Sequence, residues 1–143
     1  MSLDQEEFKK IIEFLSLENF NIDEGFTPKP IGDGQSNPTF LIRDERKNFK
    51  VLRTQPIGNL ARGAHRVDRE FSVIRALFNN GFECPQPHAV CDNPDLIGRM
   101  FYIMDFVEGD INFDPFLPDE SFEDKQKIYK SLAEVLGRLH SYD

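Results

Sequence analysis

Pro28 and Pro30 rule out a helix just before the turn Gly32-Asp33-Gly34-Gln35-Ser36-Asn37, and Pro56 with Gly58 ends the stretch that follows. What lies between reads as short extended segments. Thr27 to Ile31 suits an edge strand, where a missing N–H is tolerated. Thr39-Phe40-Leu41-Ile42 is rich in strand formers, and the polar run from Asp44 to Asn48 turns the chain back onto Phe49 to Arg53. Three successive antiparallel strands are the economical assignment.

The flanks read differently. From Asp4 to about Phe20, Phe8, Ile11, Ile12 and Leu15 recur at helical spacing among Glu and Lys. After Gly58, Asn59 is the expected N-cap of a helix reaching Asn80, with Gly81 as its stop. Leu60, Ala64, Val67, Phe71, Ile74 and Phe78 form its apolar stripe, and Glu70 sits on the flank of that stripe beside Val67 and Ile74. Arg62, Arg66 and Arg69 fall on its polar side and read as a solvated face. Cys84-Pro85-Gln86-Pro87 is an extended linker to a strand from His88 to Cys91, a turn at Asp92 to Asp95, and a strand from Met100 to Phe106. That last strand is nearly all apolar, as expected of one covered on both faces. Gly109 breaks it, and Ser121 with Asp124 opens a final helix carrying Ile128, Leu132, Leu136 and Leu139. The expected class is α+β: residues 1–24 as helix and lead-in, 25–109 as a strand-rich lobe, and 110–143 as the start of a second.

Composition limits the partners. A chain of 143 residues, 39% hydrophobic with 14 Phe, can build one core. A net charge of −8 argues against a nucleic-acid or anionic-membrane surface, so an anion would need a local site. No apolar run approaches the roughly 20 residues of a membrane span, and the acidic start Leu3-Asp4-Gln5-Glu6-Glu7 lacks the basic region of a signal peptide. The expected location is the cytoplasm. Cys84 and Cys91 have no metal spacing and read as reduced structural thiols. His65, His88 and His140 are dispersed and suggest neither a triad nor a metal site.

The chemistry concentrates between Gly32 and Glu70. A small-residue turn, a cation at Arg53 and an acid at Glu70 are together what a protein needs to hold a polyphosphate. Four segments in order carry a resemblance: Gly34 to Phe40, Val51-Leu52-Arg53, Ala64 to Glu70, and Phe101 to Gly109. They resemble the aminoglycoside phosphotransferase family, with its protein-kinase-like fold, over residues 25–143. The nearest branch is that of the phosphotransferase-like domains found alone in bacteria or fused ahead of acyl-CoA dehydrogenase domains in animals.

The resemblance implies an ATP site. Gly32, Gly34, Gln35, Ser36 and Asn37 correspond to the loop over the nucleotide phosphates, although the turn lacks the G-x-G-x-x-G of protein kinases. Arg53 stands where protein kinases put a strand Lys, and Glu70 is its partner acid. Val51 would cover the adenine, Met104 would back the pocket, and the Asp105 carbonyl with the Val107 N–H would read the adenine edge. An organellar location follows if the parent is a dehydrogenase fusion.

The H-G-D-x-x-x-x-N type loop and the magnesium-binding Asp of that family are not among these residues. No catalytic or metal-binding residue is therefore expected here, and the catalytic Asp is expected after Asp143. The reading is a nucleotide-binding lobe whose parent uses ATP and Mg²⁺ to phosphorylate a small-molecule hydroxyl. The alternative is a noncatalytic nucleotide-sensing or interaction module.

Overall fold

A computed structural model describes residues 3–32, 37–58 and 63–142. Its elements, in chain order, are α1 (Gln5–Leu17), β1 (Lys29–Pro30), β2 (Thr39–Arg43), β3 (Phe49–Thr54), α2 (Val67–Asn79), β4 (Pro87–Cys91), β5 (Phe101–Asp105) and α3 (Phe122–Leu139). The strands make one antiparallel sheet in the order β1-β2-β3-β5-β4. The expected α+β class is the one found. The three strands read from the proline and turn pattern are consecutive neighbours, and β5 inserts between β3 and β4. Phe101, Tyr102 and Ile103 on β5 are all buried, as its unbroken apolar run requires.

The chain divides into two compact units, Met1–Val107 and Glu108–Asp143. In the first, α1 covers one face of the sheet. Asp4 and Glu7 close a reciprocal capping box, with Glu7 N–H to Asp4 at 2.7 Å and Asp4 N–H to Glu7 at 3.1 Å. At the other end Asn19 takes φ 61°, and the Asn19 and Phe20 N–H groups bond back to Ser16 and Leu15. Between these stops Ile11 and Leu15 are buried against Phe40, Ile42, Leu52, Phe101 and Ile103. The opposite face of the sheet carries α2, whose Val67, Phe71 and Ile74 pack on Tyr102, Val90 and Met104. In the second unit Ser121 caps α3, accepting the Asp124 N–H at 3.1 Å, and no residue of α3 is buried.

Three boundaries differ most from the sequence reading, the ends of β4 and β5 shifting by a single residue. The edge strand expected from Thr27 to Ile31 shortens to Lys29–Pro30, because Pro28 and Pro30 have no N–H to offer; Ile31 makes the next bond, to the Thr39 carbonyl at 2.9 Å. The first helix ends at Leu17 rather than Phe20, at the left-handed Asn19. The Glu70 helix starts at Val67, well after Asn59. Gly63 (φ 84°) and His65 (φ 55°) take left-handed conformations that break the turn before it, and Ala64 lies in that turn, off the stripe. Asn59, Leu60 and Arg62 lie outside the described residues. The stop at Gly81 is present: it takes φ 79°, and its N–H and that of Phe82 close onto Phe78 and Leu77.

Candidate functional site

The sheet's register assembles the site. Thr39, Arg53 and Tyr102 stand side by side on β2, β3 and β5, and Leu41, Val51 and Met104 form the neighbouring row. Strand side chains alternate faces, so both rows point to the α2 side. Phe71 fixes α2 above them, its ring 5.8 Å from that of Tyr102. Glu70, next along the helix, is thereby held over the end of Arg53.

The Arg53 Nε donates to Glu70 Oε2 at 2.7 Å, and its Nη1 donates to Thr39 Oγ1 at 3.0 Å. The Thr39 hydroxyl in turn donates to the Asn37 carbonyl at 3.0 Å. The Asn37 amide donates to the other carboxylate oxygen, Oε1, at 2.7 Å, while its Oδ1 lies 3.1 Å from His65 Nδ1. The Tyr102 hydroxyl adds a 3.3 Å bond to Oε2. Burial, and then the charge of Glu70, pushes the Tyr102 phenol well above its ordinary range, so it stays a neutral donor. A half-exposed ion pair of this kind adds little stability alone; its effect here is geometric. Arg53 is locked in place with Nε and Nη1 spent, and its Nη2 has no protein partner among the described residues.

Beside this network lies a cavity of about 570 Å³, with Val73, Ile74, Tyr102 and Met104 as apolar walls. Arg53, Arg66 and Arg69 also line it. The solvated face expected of Arg66 and Arg69 is therefore a cavity wall in part. Arg66 spends its Nε on Asp68 at 2.7 Å, and that hydrogen bond holds the Asp68 carboxyl below its usual range.

Of the other residues singled out by sequence, Gly32 sits at φ 77°, a conformation that favours glycine. Gly34, Gln35 and Ser36 lie outside the described residues. Val51 is buried beneath the site, and Met104 is half-buried opposite it. Asp105 ends β5 with its side chain on the α1 face, bonded to Lys50 at 2.6 Å and His88 at 2.7 Å. Val107 is exposed. Thr39, Tyr102 and His65 were not anticipated as parts of the network. Tyr102 carried one usable signal, since it alternates with Met104 and so shares its face. Cys84 and Cys91 are free, and burial raises both thiols.

Residues 27–143 match the model of the phosphotransferase enzyme family. The chain belongs to that family. Among its relatives are acyl-CoA dehydrogenase family member 11 of Rattus norvegicus, 46% identical over 110 residues, and a probable acyl-CoA dehydrogenase of Arabidopsis thaliana, 45% identical over 123. These alignments cover 77% and 82% of the chain but 14% and 15% of the relatives. A crystal structure assigned as an aminoglycoside phosphotransferase, from Ralstonia eutropha, superimposes with a TM-score of 0.71 at 28% identity, over 95% of this chain and 38% of that one. The phosphotransferase fold and the expected kinase-like architecture are thus the same.

Proposed function

We propose that this phosphotransferase domain is the donor-binding lobe of an enzyme that transfers the γ-phosphoryl of ATP to a small-molecule hydroxyl. The observation that carries this reading is Arg53, fixed by Glu70 and Thr39 with Nη2 unspent among the described residues, beside a cavity with apolar walls. A guanidinium bridging a carboxylate and a phosphate oxygen suits that geometry. Val51 and Met104 offer an apolar seat for a base, and the backbone from Asp105 to Val107 offers its polar edge.

Phosphoryl transfer depends on positioning and charge neutralisation. Among the described residues no cluster of His, Cys, Asp or Glu could hold a metal ion. Magnesium would accompany the nucleotide and neutralise its phosphates, and this chain's part is to orient the donor. Residues elsewhere in the parent would align the acceptor, consistent with the small fraction of each relative that the chain spans. The substrate hydroxyl, an adjoining domain and a cytoplasmic location, or an organellar one in a dehydrogenase fusion, belong to the same proposal.

Titration of ATP with Mg²⁺ into the protein and its Arg53→Ala variant tests it. Saturable binding weakened about tenfold or more by the substitution is expected, equivalent to the loss of one charge-assisted contact. Identical flat traces would remove the reading.

A further inference from the structure

On the side of the sheet away from α2, side chains add to the backbone bonds that hold the end of β5, where the Asp105 N–H donates to the Gln86 carbonyl at 2.9 Å. β4 shifts register between Pro87 and Ala89, and Pro87 has no N–H to give. On the other side, the Phe106 N–H reaches the Phe49 carbonyl only at 3.4 Å. Asp105 reinforces both sides with one carboxylate oxygen. Its Oδ1 takes Lys50 Nζ at 2.6 Å, from the residue directly opposite on β3, and His88 Nε2 at 2.7 Å, from β4.

The donors are themselves braced. Lys50 is largely buried and lies 3.7 Å from Asp44, which also holds the β2–β3 turn through the Asn48 backbone N–H at 2.8 Å. The His88 ring packs at a tilt against Phe20, with centroids 4.8 Å apart. A shielded ammonium aimed at one carboxylate oxygen has few alternative positions, because leaving it unpaired is costly. The cluster therefore fixes the last residue of β5, and with it the direction in which the backbone leaves toward Val107.

We propose that Lys50, His88 and Asp105 form a positioning cluster that selects an adenine base, by fixing from behind the backbone edge between Asp105 and Val107. This inference rests on the nucleotide reading above. It assigns to three side chains with no contact to the nucleotide a part in recognising the base and none in holding phosphate. Phosphate affinity belongs to Arg53, on the other face of the sheet.

The test compares two probes, ATP and inorganic tripolyphosphate, each with Mg²⁺, against the protein and its Asp105→Asn and His88→Phe variants. His88→Phe retains an aromatic ring to pack against Phe20 and removes the bond to Asp105. Both variants should bind ATP about tenfold more weakly and change tripolyphosphate affinity less than about twofold, since misaligned base contacts leave the phosphate contacts intact. Thermal melting ties each comparison to folded protein. Equal loss of both probes in a folded variant, or no loss of either, overturns the positioning cluster and leaves the nucleotide reading standing. If the unsubstituted protein binds neither probe, both fail.

Discussion

Glu70 accepts hydrogen bonds from Arg53, Asn37 and Tyr102, drawn from a strand, a turn and another strand. Nothing in their spacing announces that convergence. Arg53 and Glu70 were legible as a pair through the family resemblance, with Arg53 alternating with Val51 and Phe49 on one strand face. Asn37 was read as part of the turn over the phosphates and not as a partner of Glu70, on which its side chain is buried. Tyr102→Phe should cost about 0.5–1 kcal/mol, the net worth of one long hydrogen bond, read as a lowered urea midpoint. A loss beyond about 2 kcal/mol would show that the hydroxyl holds more than Glu70. Acid should act through Asp44 and Asp105. Burial alone would raise both carboxyls; Asn48 and Lys50 outweigh it at Asp44, and Lys50 and His88 do so at Asp105, leaving both below their usual range. Such depressed groups stabilise the fold above the unfolded value of about pH 4 and lose that contribution as pH falls through the folded values. The urea midpoint should hold steady from neutrality and drop below about pH 4, with a shallower drop in Asp44→Asn.

At the scale of elements, the punctuation read from sequence was reliable where it acted through covalent geometry. Pro28, Pro30 and Gly81 each mark a boundary near the place they predict. The start of α2 was not legible, because Leu60 and Ala64 continue the apolar period while the backbone at Gly63 and His65 departs from the helix. Periodicity reports side chains and is blind to such a break. Two glycines give a test with opposite signs. Gly81→Ala forces a side chain into a left-handed conformation and should destabilise by about 1–2 kcal/mol. Gly137, inside α3 with open space where a Cβ would stand, should gain about 0.5–1 kcal/mol of local helix stability as Ala. Melting of the two variants, with helicity followed by circular dichroism, reads both; the same sign for the pair would contradict the backbone account.

For the whole molecule, the division after Val107 predicts where a protease enters. Residues 108–116 are exposed and without regular structure, and Phe113 and Phe116 are about four-fifths exposed. Brief chymotrypsin treatment should cut there first and leave the sheet unit as a resistant fragment identifiable by mass. First cuts within β2 to β5 would refute the division. Arg99 has a longer-range consequence. It is almost fully buried and donates to Glu7 at 2.8 Å, and the helix it holds covers a core floored by Phe101 and Ile103. Within this chain α1 is therefore synthesised well before β5, the strand that completes the surface it rests on. Until then Ile11 and Leu15 have only the part of their cover that Ile22, Phe40, Ile42 and Leu52 supply.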